Sequence, residues 1–155
     1  MVEFSHIQNE RAQMVDISAK NDVIREAAAV GKIFLKPETM DAIRHGTVVK
    51  GNVLSTARVA ATLSVKNTPA LIPLCHGIPI SSIVVEFDEG EGFIEVMVRV
   101  KSAGKTGVEM EALVGVSIAL LTVWDMVKSA EKDAEGQYPV TCIQDIRVIE
   151  KRKGT

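Results

Sequence analysis

The chain has 155 residues, 46% of them apolar and 25% charged, with a net charge of −2. A single domain spanning 1–155 can close a core at this length without disulfides or a structural metal, and the composition excludes disordered and collagen-like chains. The slight acidity and the 4% of aromatic residues exclude a general nucleic-acid binder, which needs a basic surface or a stacking platform. The first residues, Met1 to His6, lack a basic stretch followed by an apolar one, so they do not read as a signal peptide. Residues 1–13 and 151–155 are expected to be mobile unless something binds them. Residues 23–35 are ambiguous, with part of them a strand. Proline at the first turn and Gly46 past the end predict a short helix over 37–45. Asn52 is placed to cap a second helix over 53–66, and Asn67-Thr68-Pro69 ends it. Three prolines, Pro69 just before it and Pro73 and Pro79 within it, make 70–81 a shaped loop.

A β-rich pair follows, 83–87 and 93–100, joined by the turn Asp88-Glu89-Gly90-Glu91-Gly92 and so read as a hairpin. In its second strand Glu95, Met97 and Arg99 face one way, and Ile94, Val96, Val98 and Val100 face the core. Thr106-Gly107-Val108-Glu109 has the pattern of a capping box and opens a long helix to about residue 132. A last strand covers 143–149. This order predicts an α+β sandwich, with helices on one face of a mainly antiparallel sheet. The uncharged run 112–124 is shorter than the roughly 20 residues of a membrane span, so it reads as a buried helix. It is apolar nearly all round, and a second subunit is the natural cover for the side its own sheet leaves open. Neither cysteine, Cys75 or Cys142, belongs to a CxxC pair, which fits a reducing cytoplasm.

Several residues could carry chemistry. Gly104-Lys105-Thr106 lies between a strand and a helix, but a phosphate loop needs glycine where Arg99 stands, and Glu109 and Glu111 oppose phosphate there. Lys50-Gly51-Asn52 is either an anion site at a helix N-terminus or a surface lysine before an ordinary cap. Cys75 and His76 are either pocket groups or a buried thiol beside a hydrogen-bonded histidine. No other Cys or His stands at ligand spacing, so no metal is expected. Glu109 and Glu111 point about 200° apart on a regular helix and converge only if its first turn is irregular. Asp125 and Lys128 share a helix face, as a solvated ion pair or as a catalytic pair.

These motifs occur together in one order: Met14-Val15-Asp16-Ile17-Ser18-Ala19-Lys20, Arg25-Glu26-Ala27, Lys50-Gly51-Asn52-Val53, Thr56-Ala57-Arg58-Val59-Ala60, Leu71-Ile72-Pro73-Leu74-Cys75-His76, Thr106 to Leu113, and Asp125-Met126-Val127-Lys128. From about residue 14 to 132 the chain closely resembles the cyclic pyranopterin monophosphate synthase family of molybdenum cofactor biosynthesis. The resemblance implies a ferredoxin-like fold and a cytoplasmic lyase-type enzyme. Its substrate would be 3′,8-cyclo-7,8-dihydroguanosine 5′-triphosphate, and its products cyclic pyranopterin monophosphate and pyrophosphate. It implies catalytic roles for Asp125, Lys128 and Lys50. It implies substrate contacts from Leu74, Cys75, His76, Met110, Glu111 and Glu109, and triphosphate contacts from Arg25, Lys20 and Lys66. It implies no tightly bound cofactor, leaving room for Mg2+ carried in by the triphosphate, and a homohexamer built as a trimer of dimers. The chain departs from the family at Gly77, usually proline, at Asn52, often aspartate, and in its C-terminal Lys151-Arg152-Lys153-Gly154-Thr155. An oligomeric ligand sensor and an assembly scaffold are the competing readings.

The helix also constrains the site. Glu111 and Asp125 stand about 21 Å apart along it, too far for one copy to bring both to one reacting ring system. Two such helices packed antiparallel about a two-fold axis would place the start of one beside the end of the other.

Overall fold

The alternation of β5 (Phe93–Gly104) organises the sheet: Ile94, Val96, Val98 and Val100 are fully buried, and the residues between them are not. The computed structural model describes residues 7–8 and 11–154, with side chains from residue 11. A short ribbon pairs β1 (Ile7–Gln8) with β2 (Arg11–Ala12). The main sheet has the order β4-β5-β3-β6, every neighbour antiparallel, with β3 spanning Val23–Phe34, β4 Ile80–Gly90 and β6 Cys142–Lys153. The helices α1 (Pro37–Arg44), α2 (Val53–Lys66) and the short α3 (Thr68–Leu71) lie between β3 and β4, and α4 (Glu109–Glu131) lies between β5 and β6. This is the βαββαβ order of a ferredoxin-like α+β sandwich, with α2 and α4 packed side by side on one face of the sheet.

The ambiguous segment 23–35 is a full central strand. Its run Ala27-Ala28-Ala29 has helical propensity, yet all three residues are completely buried between β5 and β6. Small side chains suit that place, and tertiary context overrides local preference. Two glycines let α4 close on its neighbours. A Cβ at Gly31 would lie 2.8 Å from Val116 Cγ1, and one at Gly115 would lie 2.8 Å from Val65 Cγ2 and 2.9 Å from Val98 Cγ1. Gly115→Val therefore overpacks the junction of α2, α4 and β5. A loss of about 1–3 kcal/mol of stability is expected, read as a lower denaturant midpoint. An unchanged midpoint would contradict this packing.

Three expectations need correction. A short helix, α3, occupies the start of the region read as a loop, because Pro69 sits in its first turn, where a missing N–H costs nothing. Residues 151–153, expected to be mobile, are part of β6, where Lys151, Arg152 and Lys153 pair with Ala27, Glu26 and Arg25. The mobility expected of residues 1–6, 9, 10 and 155 falls outside the described residues. No capping box opens α4: its cap residue is Val108, whose side chain caps nothing.

By length and composition α4 could cross a membrane, but 56% of its apolar window is buried within the sandwich, as in a core helix. On its outward stripe Met110 and Leu121 are 39% and 53% exposed, covered by none of the described residues. On the opposite sheet face Arg99 Nη1 donates to Glu26 Oε1 at 2.9 Å and to Glu150 Oε2. These bonds hold both carboxyls below their ordinary range.

Candidate active site

Helix α4 carries a cluster of polar side chains at each end. At its start lies an open cavity of about 390 Å³. Seven of the residues singled out in the sequence line it: Lys20, Leu74, Cys75, His76, Glu109, Met110 and Glu111. Val15, Ile17, Thr106, Gly107 and Lys151 complete the lining, the first four without any substrate contact expected of them from the sequence. The segment around Val15 and Ile17, which lines the cavity, is held by one local bond and one from Lys105. Asp16 Oδ1 accepts from Ser18 N at 2.8 Å, and Lys105 Nζ donates to Ser18 O at 2.9 Å.

Glu111 is only 3% exposed. Burial pushes its carboxyl above the ordinary range, and the nearby charge of Glu109 pushes the same way; a hydrogen bond from its own backbone N–H works against them. Burial, followed by the charge of Glu111, raises the Cys75 thiol, so this cysteine is a poor thiolate nucleophile. Glu109 converges on the same cavity although it stands two residues from Glu111. Its side chain folds back over Gly107, where a Cβ would lie 1.8 Å from Glu109 Oε2, and it pairs with Lys151 of β6.

At the other end of α4, Asp125 is held by two lysines. Lys128 Nζ donates to Oδ1 at 2.7 Å, and Lys50 Nζ donates to Oδ2 at 3.1 Å and to the Asp125 carbonyl at 2.7 Å. Lys50 comes from the loop between α1 and α2, just before Asn52, whose Oδ1 accepts from Ser55 N at 2.8 Å and caps α2. The hydrogen bonds from Lys128 and Lys50 hold the Asp125 carboxyl below its usual range. Reciprocally, the bond to Asp125 raises Lys128. All three side chains remain about half exposed, so the cluster is open to a reactant.

Three further residues stand apart from the cavity lining. Arg25 is partly buried on β3, with Nη2 donating to Lys105 O at 3.5 Å and Nε buried without a partner. Lys66 is exposed on the last turn of α2. Gly77 is exposed in the loop after His76, with open space around its Cα. Among the described residues no three His, Cys, Asp or Glu side chains are placed to hold a metal together.

An antiparallel ferredoxin-like sandwich with a carboxylate-floored cavity and a separate Lys–Asp–Lys cluster defines a small-molecule-binding α+β protein. The comparisons with known proteins are specific. The sequence pattern described as the MoaC family matches residues 14–154, and the chain belongs to that family. It is 70% identical over 154 residues to a protein of Methanoregula boonei and 66% identical over 150 residues to one of Methanospirillum hungatei JF-1, and it covers 99% and 96% of their lengths. It is 52% identical over 154 residues to a protein of Thermococcus kodakarensis, covering 99% of it. These alignments take in 99%, 97% and 99% of this chain, and all three relatives are named "Probable cyclic pyranopterin monophosphate synthase".

Proposed function

We propose that the chain is a cyclic pyranopterin monophosphate synthase of molybdenum cofactor biosynthesis. It converts 3′,8-cyclo-7,8-dihydroguanosine 5′-triphosphate to cyclic pyranopterin monophosphate and pyrophosphate, in the cytoplasm. The cavity at the start of α4 takes the guanine-derived ring. Such an edge presents adjacent N–H donors, and the two oxygens of Glu111 accept both; those bonds favour the ionised carboxylate that burial alone disfavours. Leu74, Cys75, His76 and Met110 wall the ring. Lys20, Arg25 and Lys66 neutralise the triphosphate so that a hydroxyl can approach phosphorus. Any Mg2+ enters with the triphosphate as part of the substrate.

Asp125, Lys128 and Lys50 move the protons. Asp125 is held ionised and Lys128 is raised, so Lys128 stays an ammonium at rest. Lys128 therefore stabilises developing negative charge and gives up its proton only to a strongly basic centre, with Asp125 holding both lysines in place.

The observation that carries this reading is the separation of the two clusters. Glu111 and Asp125 lie on one helix, about 21 Å apart along its axis, with exposed Met110 and Leu121 on its outward stripe. A second copy packed antiparallel on that stripe covers it and brings Glu111 of one chain to Asp125 of the other. A trimer of such dimers is the hexamer. The experiment is to supply the cyclised nucleotide and measure pyrophosphate. Release with multiple turnovers is the expected result; tight binding without release would favour a ligand sensor and overturn the enzyme reading.

A further inference from the structure

The fully buried Glu131 has no place in the chemistry above. It is the last residue of α4, and its side chain is directed at the start of α1. Both its oxygens accept from Lys36 N, at 3.2 and 3.3 Å, and Oε2 also accepts from Thr141 Oγ1. Lys36 is the cap residue of α1 and has no side-chain cap bond of its own. Its ammonium instead reaches the end of α4 and donates to Ala130 O at 3.1 Å and Lys132 O at 3.0 Å. Each helix end therefore supplies what the other lacks: a carboxylate for the Lys36 N–H that opens α1, and an ammonium for the carbonyls closing α4.

The clamp sits where packing is thin. A groove of about 180 Å³ runs between α1 with its following loop and the last turns of α4, lined by Thr39, Val48 and Lys50 on one side and Met126 and Ser129 on the other. Lys36–Glu131 and Lys50–Asp125 both join this part of the chain to α4, one from just before α1 and the other from the loop after it. Between them the chain runs through the eight residues of α1 and the turn at Gly46, where φ is +67°.

We infer that Glu131 is a positioning residue: by clamping the start of α1 to the end of α4, it sets where Lys50 meets Asp125. It touches neither substrate nor reacting atoms. The proposal rests on the catalytic reading of Lys50 for its kinetic consequence, but not for its geometric one. A displacement of the lysine by an ångström is enough to cost a large factor in rate.

The test reads both consequences in Glu131→Ala and, because an emptied carboxylate site can harm folding, in the milder Glu131→Gln and Lys36→Met as well. The first readout is competitive acylation of lysine amines by a small reagent, followed by mass spectrometry; it needs no activity. In folded variants Lys50 should label several-fold faster than in the wild type, while Lys128, held by a partner three residues away on its own helix, should change little. The second readout is steady-state kinetics with the cyclised nucleotide. A fall in kcat of roughly tenfold or more is expected in Glu131→Ala, with KM nearly unchanged, and Glu131→Gln should recover much of it by keeping an acceptor for Lys36 N. Unchanged Lys50 labelling in the folded variants overturns the proposal. Faster labelling with no turnover in any form, wild type included, leaves the clamp standing and overturns the proposed reaction instead.

Discussion

Asp125→Asn should lower kcat by ~10² or more while leaving substrate affinity largely intact. The asparagine keeps the shape but not the charge, and its amide nitrogen presents hydrogens where one lysine now donates. Either Lys50 at 3.1 Å or Lys128 at 2.7 Å then loses its acceptor, and Lys128 loses the bond that raises it. The ring contacts proposed for the cavity at the start of α4 involve none of these three side chains, so KM should move little. Lys50→Ala should show the same split. In the wild type, kcat at saturating substrate should fall on the acid side as pH drops through the depressed pKa of Asp125, below the ordinary carboxylate range, whereas kcat/KM should fall earlier, as the raised carboxyl of Glu111 takes up a proton in the free protein. Near-normal turnover in Asp125→Asn would return the cluster to an ordinary solvated ion pair, worth little on an exposed surface.

How far the sequence discloses this arrangement depends on the range of each contact. Asn52 and the helix it caps are local, and the sequence places α2 at Val53–Lys66, as the structure has it. The alternation of Ile94, Val96, Val98 and Val100 likewise declares which face of β5 is buried. The Asp125–Lys128 pair is legible because residues three apart share a helix face. Lys50 is different. Its bond to Asp125 joins residues 75 positions apart, and no local pattern encodes it; only the resemblance to a family names the two together. Glu109 misleads for a physical reason. The Thr106–Glu109 spacing fits a capping box, but the carboxylate finds a lysine on β6 and folds toward it. That lysine, Lys151, lies in a stretch whose polarity suggests a loose end, and strand pairing with Ala27 holds it in place. Glu131 and Lys36 carry no sequence signal at all, since each acts on the terminus of a helix distant in the chain.

The proposed sharing of the site between two chains makes the sharpest demand. With Glu111 and Asp125 at opposite ends of α4, a chain acting alone would have to span about 21 Å between ring recognition and proton transfer, whereas proton transfer requires contact near 3 Å. Two chains meeting along the outward stripe of α4 remove that gap and cover Met110 and Leu121. In such a dimer each site takes Glu111, with Leu74, Cys75 and His76, from one chain and Lys50, Asp125 and Lys128 from the other. Glu111→Ala and Asp125→Asn homo-oligomers should then each be nearly inactive, for different reasons. A dimer containing one chain of each kind holds one site with both defects and one site with neither. The measurement is pyrophosphate release by verified mixed oligomers, prepared by co-expression with two different tags. Recovery of a substantial part of wild-type activity is the predicted result; mixed oligomers no more active than the parents would contradict a site built from two chains.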